Sequence, residues 1–235
     1  MNVTKDGFKD RQLHIEDYLQ MVSAEQKEYA EVSAHQRIAE NNDIITDFQT
    51  DNLMEQILHK DNLNKAYKKV KSNKGAGGVD GMSVDELLGF LRDNQKQLIQ
   101  QIKDGKYKPN PVRRVEIPKE TKGEFRKLGV PTVVDRVFQQ AITQVLSPIY
   151  EKQFSENSFG FRPNRGAHDA LKQCQTNVND GYVYVVDMDL EKFFDTVSQS
   201  KLIEVLSRTI KDGRVISLIH KYLNAGVISR GMFEK

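Results

Sequence analysis

The sequence has no tryptophan and a single cysteine, Cys174, among its 235 residues. A lone thiol rules out an internal disulfide and suits a reducing, cytoplasmic setting; Cys174 itself reads as an ordinary half-buried residue. No apolar run approaches about 18 residues, so no membrane-spanning helix is expected. The opening stretch MNVTKDGFKDRQLHIEDYLQ has no basic region followed by an apolar core, so no secretory signal is expected either. No internal repeat or low-complexity tract is visible. The glycine cluster at 75–81 is not a GxxxxGK[ST] phosphate loop, because its lysine, Lys74, precedes the glycines.

Charge of one sign is also missing overall, with a formal balance of +2, but the charges are segregated. Residues 1–50 carry five Lys/Arg against ten Asp/Glu, and residues 51–235 carry 30 against 23. Residues 103–127 hold nine of the positive charges: Lys103, Lys106, Lys108, Arg113, Arg114, Lys119, Lys122, Arg126 and Lys127. That cluster reads as a footprint for a polyanion or as a solvated face of long side chains. The lysines Lys68, Lys69, Lys71 and Lys74 carry the same two readings.

Periodicity gives the elements. Residues 1–50 read as an acidic helical arm or a disordered tail. Residues 51–73 have helical spacing, with a break expected near Asp61-Asn62. Ser83-Val-Asp-Glu86 matches a capping box that opens a helix running to about Lys103. Val112–Ile117 and Phe125–Val130 alternate, end in Pro118 and Pro131, and flank a turn at Gly123, so a basic β-hairpin is expected. A continuous apolar stripe predicts a helix over 132–153, and further helices are expected over 166–180, 199–210 and 214–225. The fold class is therefore α+β, mixed and helix-rich, with a small antiparallel sheet.

Tyr182–Met188 reads as a buried central strand that runs into carboxylates. Alternation places Asp187 and Asp189 on one face, where they repel unless a cation lies between them or one faces solvent. Mg²⁺ takes one or two carboxylates plus substrate phosphates, so the strand end reads as a metal site, with helix capping as the competing reading. A phosphatase with an aspartyl nucleophile and a two-metal nucleotidyl transferase both fit two such carboxylates; only the second accounts for the basic hairpin.

Four stretches occur in order: KGAGGVDGMSVDEL (74–87), VRRVEIPK with RKLGVPTVVDRVFQQAI (112–142), SFGFRPNRGAHDAL (158–171) and VVDMDLEKFFDTV (185–197). Together they resemble the N-terminal part of group II intron-encoded reverse transcriptases, or maturases. The resemblance implies a right-hand polymerase, with fingers over 51–180 and part of the palm over 181–235. It implies that Asp189 is the first catalytic metal aspartate and that the Leu190 carbonyl helps hold Mg²⁺, or Mn²⁺ in its place. It further implies that Phe194 gates the ribose 2′-hydroxyl and that Lys119, Arg126 and Arg162 meet the incoming dNTP. Gly77, Gly78, Asp80, Gly81, Pro163 and Arg165 would lie near the template, and Arg113 and Arg114 would contact RNA. Asp195 reads as an N-cap or structural partner, His168 as a surface residue, and Phe159 and Phe161 as core. Arg136 and Gln139 read equally as template-lining and as a salt bridge or cap.

The implied partners are template RNA, intron RNA, a DNA primer and dNTP, and a second copy of the chain through the fingers or an exposed palm face; no membrane is expected. The PQG-type and Tyr-x-Asp-Asp elements of the family do not occur, so the isolated chain is expected not to polymerise. A non-catalytic RNA-binding module that assists intron folding is the alternative.

Overall fold

Helix formation follows the apolar spacing closely. The computed structural model describes residues 52–118, 123, 125–190, 192–229 and 231–234, all within one unit, Phe48–Lys235. The acidic arm expected over 1–50 lies outside these residues, as does Lys119. Three helices come first: α1 (Leu53–Ile57), α2 (Lys60–Ser72) and α3 (Leu87–Lys103). The break between α1 and α2 falls at Leu58-His59 rather than at Asp61-Asn62. His59 is extended and its Nδ1 accepts from the Asp61 amide, so it caps α2. Asp61 then sits in the first turn, where negative charge is favoured, and Asn62 turns its amide onto the Ile57 and Ala141 carbonyls. The capping box before α3 forms: Glu86 accepts from the Ser83 amide at 2.8 Å and Ser83 Oγ accepts from the Glu86 amide at 3.4 Å.

Strands β1 (Val112–Pro118) and β2 (Phe125–Val130) make the expected hairpin, with Arg113 opposite Val130 and Ile117 opposite Arg126. Helix α4 (Val133–Glu151) follows, then α5 (Ala167–Asn179), α6 (Phe193–Thr196), α7 (Gln199–Thr209) and α8 (Gly213–Leu223). Two strands that sequence reading did not anticipate close the order, β3 (Val227–Ser229) and β4 (Met232–Glu234). The sheet runs β2-β1-β3-β4 and is mixed, not wholly antiparallel, because β3 lies parallel to β1. The physical reason is the connection. Few residues separate β1 from β2 and β3 from β4, whereas the chain reaches β3 only after the helices α4–α8, and such a long crossover allows parallel pairing.

The core gathers α1, α2 and α4, with Val215 and Leu218 of α8. Helix α4 buries Val133, Val134, Val137, Phe138, Ala141, Ile142, Leu146 and Ile149 along one stripe. Arg214 ties α8 to α1 by two bonds to Glu55, and Asp212 accepts from the Met54 amide at 2.9 Å. Among the described residues no helix is long and apolar enough to cross a membrane.

Candidate nucleic-acid interface

The hairpin's position is set by one buried acid. Asp135 is 1% exposed, in the first turn of α4. It accepts from the Tyr107 hydroxyl at 2.7 Å, the Thr132 hydroxyl at 2.7 Å and the Asn110 amide at 3.1 Å. These bonds hold the segment entering β1 and the segment leaving β2 on the same carboxylate. Burial pushes the Tyr107 phenol well up, and the neighbouring Asp135 charge pushes it further, so it stays a donor. Sequence reading passed over Asp135. The signal was present, since Thr132-x-x-Asp135 is itself a capping pattern, and the Thr132 hydroxyl accepts from the Asp135 amide.

The glycine loop is seated against this pin. A Cβ on Gly78 would lie 2.6 Å from the Thr132 Cα, and one on Gly77 would lie 2.8 Å from the Met82 carbonyl oxygen. Close backbone approach therefore demands glycine at both positions. Two guanidiniums hold the loop's carbonyls: Arg113 donates to the Gly77 oxygen at 2.8 Å and 3.2 Å, and Arg136 to the Ala76 oxygen at 2.6 Å. Burial lowers the Arg136 pKa, and the Asp80 carboxylate opposes that shift. Arg136 is thus a loop clamp, and Gly77, Gly78 and Arg113 are committed to packing.

Antiparallel register sorts the hairpin's side chains. Arg113, Val115, Ile117, Arg126, Leu128 and Val130 share one face. On the other face Arg114 pairs with Glu234 of β4 at 2.5 Å. Arg126 is exposed near the turn and has no ion-pair partner among the described residues. Exposed Ile117 and Leu128 lie beside it on the sheet face.

Arg162 and Arg165 stand apart from the hairpin and are already engaged. Arg162 is 8% exposed and donates to Glu151 Oε1 at 2.7 Å and 2.9 Å and to the Ser155 and Ser158 carbonyls. It staples the turn between α4 and the irregular segment, and its guanidinium lies 5.4 Å from the Phe154 ring centroid. Arg165 holds Glu156 and stacks over Phe159 at 5.8 Å. Hydrogen bonding and charge from Arg165 hold the Glu156 carboxyl below its ordinary range. Phe161 is not core: its side chain is fully exposed and its backbone has φ +58°. A left-handed phenylalanine is uncommon, and here it lets Arg162 point inward while Phe161 points out. His168 is exposed on α5 as expected, and so is Cys174, which is not half-buried. Gln139 is half-buried on α4, where its carbonyl accepts from Thr143.

The carboxylate segment differs most from expectation. Tyr182–Leu190 forms no strand, and Val183, Val185 and Val186 are 78%, 84% and 78% exposed. A β-branched run records a preference for burial on a sheet, but a strand needs a partner, and no strand among the described residues pairs with it. Asp187 and Asp189 are exposed, as are Leu190 and Phe194, whose ring stands edge-on to Phe193 at 5.5 Å. Asp195 does not cap α6. That cap is Lys192, in the left-handed region, and Asp195 lies within the first turn. Two carboxylates and the Leu190 carbonyl are oxygen donors of the kind Mg²⁺ takes. Among the described residues no cluster of three or more His, Cys, Asp or Glu completes such a site.

Comparison with known proteins agrees with these motifs. Residues 117–235 match the family described as reverse transcriptase (RNA-dependent DNA polymerase). The group II intron-encoded protein LtrA of Lactococcus lactis subsp. cremoris is 36% identical over 200 residues, 85% of this chain and 33% of LtrA. Protein YkfC of Escherichia coli (strain K12) is 36% identical over 188 residues, 77% of this chain and 49% of YkfC. The chain thus spans a third to a half of the length of these relatives. A chain of the solved partial Cas6-RT-Cas1--Cas2 complex shares the fold at TM-score 0.50 and 20% identity, over 77% of this chain and 29% of that one. The resemblance read from the four ordered motifs is borne out: the chain belongs to the reverse transcriptase family, with group II intron-encoded proteins among its relatives.

Proposed function

We propose that this chain is the fingers and first palm portion of a group II intron reverse transcriptase, with a maturase-like grip on intron RNA. The observation that carries the reading is the division of labour among the arginines. Arg113, Arg114, Arg162 and Arg165 brace the fold, while Arg126 stands exposed on an anchored hairpin. A guanidinium held out on an anchored hairpin suits bidentate recognition of phosphate, and Lys119, next to β1 in the sequence, adds a point charge. These two residues take the triphosphate of the incoming dNTP and contact backbone phosphates of bound RNA. The glycine loop at Gly77 and Gly78, clamped by Arg113 and Arg136, forms the floor beside the template. Residues 51–180 act as fingers, residues 181–235 as the start of the palm, and residues 1–50 as an accessory arm.

Asp189 and the Leu190 carbonyl contribute to the site for Mg²⁺, or Mn²⁺ in its place. A metal held there would supply Lewis-acid activation of a primer hydroxyl and charge neutralisation at a phosphoryl group. Phe194 excludes a ribose 2′-hydroxyl. This chain supplies only part of a two-metal ligand set, so it does not extend a primer alone. The exposed Tyr182–Leu190 segment needs a polypeptide partner, and a second copy of the chain fills that need at high concentration. The single cysteine fits a cytoplasmic enzyme. An RNA-binding module without catalysis draws on the same hairpin, and the Asp189→Ala change in a complete enzyme separates the two. The phosphatase alternative is not favoured, because the family match leaves it no support.

The test is binding of a structured intron RNA by the purified chain across a salt series, beside primer extension with template RNA, DNA primer and dNTP. Salt-sensitive binding that falls about tenfold in Arg126→Ala, holds in Asp189→Ala and comes without extension is expected. Absence of binding at low salt would overturn the reading.

A further inference from the structure

A cavity of about 490 Å³ opens between the exit of the glycine loop, α3 and the segment before β1. Its apolar wall is Met82, Phe90, Leu98 and Val134. Two exposed ammonium groups, Lys106 and Lys108, stand at its rim. Between them Tyr107 turns inward to Asp135, and the Asn110 amide bonds the same carboxylate, so the buried acid fixes the rim. Gln101, Asn110 and Asp80 add polar groups around the apolar wall. A half-buried aromatic, side chains that read base edges and a pair of cations, brought together by three separate stretches of chain, match one ligand class. That class is an unstacked nucleotide whose base lies on the apolar wall and whose flanking phosphates meet the lysines.

We infer that this cavity holds a single nucleotide of single-stranded RNA, as a grip separate from the Arg126 face of the hairpin. The inference rests on the reading that the chain binds RNA and adds a defined place for one base. The size suits it, since ligand pockets of about 300–1,000 Å³ enclose molecules of this class. Asp104 lies 3.8 Å from Lys106, but both are exposed, and a surface pair of that kind yields readily to phosphate. Asp80 accepts from the Met82 amide through one oxygen, leaving the other to accept from an exocyclic amino group of the base. A duplex cannot use the cavity, because its bases are stacked and paired.

The chain has no tryptophan, so Phe90→Trp places a sole reporter on the cavity wall. A single-stranded RNA of about 12 nucleotides is expected to quench it, and the same sequence as a duplex is not. In the wild-type background, Lys106→Ala with Lys108→Ala is expected to lower the slope of log affinity against log salt by about 1.4, at about 0.7 per phosphate on a single strand. Both lysines are exposed, so the double variant folds even where a tryptophan at 90 is poorly tolerated. An unchanged slope, or quenching by duplex equal to that by single strand, overturns the cavity. If the chain binds RNA and loses affinity in Arg126→Ala while the lysine variant keeps the wild-type affinity and salt slope, the cavity fails and the hairpin reading stands. If the wild-type chain binds no RNA at low salt, both fail.

Discussion

Helix α4 and the helices that follow it are opposite cases. Helix α4 buries nine residues, whereas α5, α6 and α7 bury none. The basic hairpin hangs from the first region through Asp135, and the carboxylates Asp187 and Asp189 belong to the second. The chain fixes the hairpin's root by burying an acid beneath it. The carboxylates have no such support, because the apolar residues before them meet no sheet. The two regions thus differ in how much of their geometry is fixed among the described residues: the hairpin is anchored on a buried acid, and the Asp187–Asp189 segment is exposed.

The contrast breaks most visibly if the same substitution is made in both regions. Asp135→Ala strands the Tyr107 hydroxyl, the Thr132 hydroxyl and the Asn110 amide without their acceptor. A loss of about 3–5 kcal/mol is expected in urea unfolding followed by circular dichroism. Asp189→Ala, at an exposed site, is expected to stay within about 0.5 kcal/mol. Equal losses would mean that the carboxylate segment is packed as firmly as the hairpin's root.

Glycines give a sharper and smaller test. A methyl on Gly78 meets the Thr132 backbone at 2.6 Å, which neither side can yield without moving the cap of α4. Gly78→Ala is expected to cost about 1–3 kcal/mol, as overpacking does. Gly89 lies inside α3 with nothing within 4 Å of an added Cβ, so Gly89→Ala is expected to stabilise by roughly 1 kcal/mol through helix propensity. Melting temperatures that move the same way for both would show that the loop is not seated on Thr132.

What could be read in advance follows the same division. The two hairpin strands were legible to within a residue because their ends are marked locally, by Pro118 and Pro131. The long helices were legible because an apolar stripe is a local property. The placement of Arg113 on the Gly77 carbonyl, 36 residues away, was not, nor was the pairing of β3 with β1 across more than a hundred positions. Arg162 shows the same limit. The resemblance implies a nucleotide contact there, and the bond to Glu151, eleven residues upstream, could not be read from the pattern. Nothing in a linear pattern states which acid an arginine will find. Tyr182–Met188 failed for the complementary reason: its composition records a wish for burial, and only the fold decides whether a partner strand is there to grant it.

The joint between α1 and α8 gives the smallest expected effect and depends on pH. Asp212 is 4% exposed and caps α8. Burial alone would push its carboxyl up, but hydrogen bonds from Arg214 and from the Met54 and Arg214 amides outweigh it and hold the group below its ordinary value of 3.8. The folded state therefore binds this proton less readily than the unfolded chain. Stability from the joint is fully present above pH 3.8 and fades as pH falls below that value through the folded one. Asp212→Asn keeps the cap but loses the charge, so the variant is expected to be less stable than wild type at neutral pH. The gap should close as pH falls below 3.8 and through the lower folded value, because protonation then makes the wild-type side chain neutral too. It should be a fraction of the Asp135 loss, since Glu55, which shares Arg214, is half-exposed and screened. A gap that stays constant over that range would mean that Asp212 acts only as a cap, and that its bond to Arg214 adds nothing to the hold of α1 on α8.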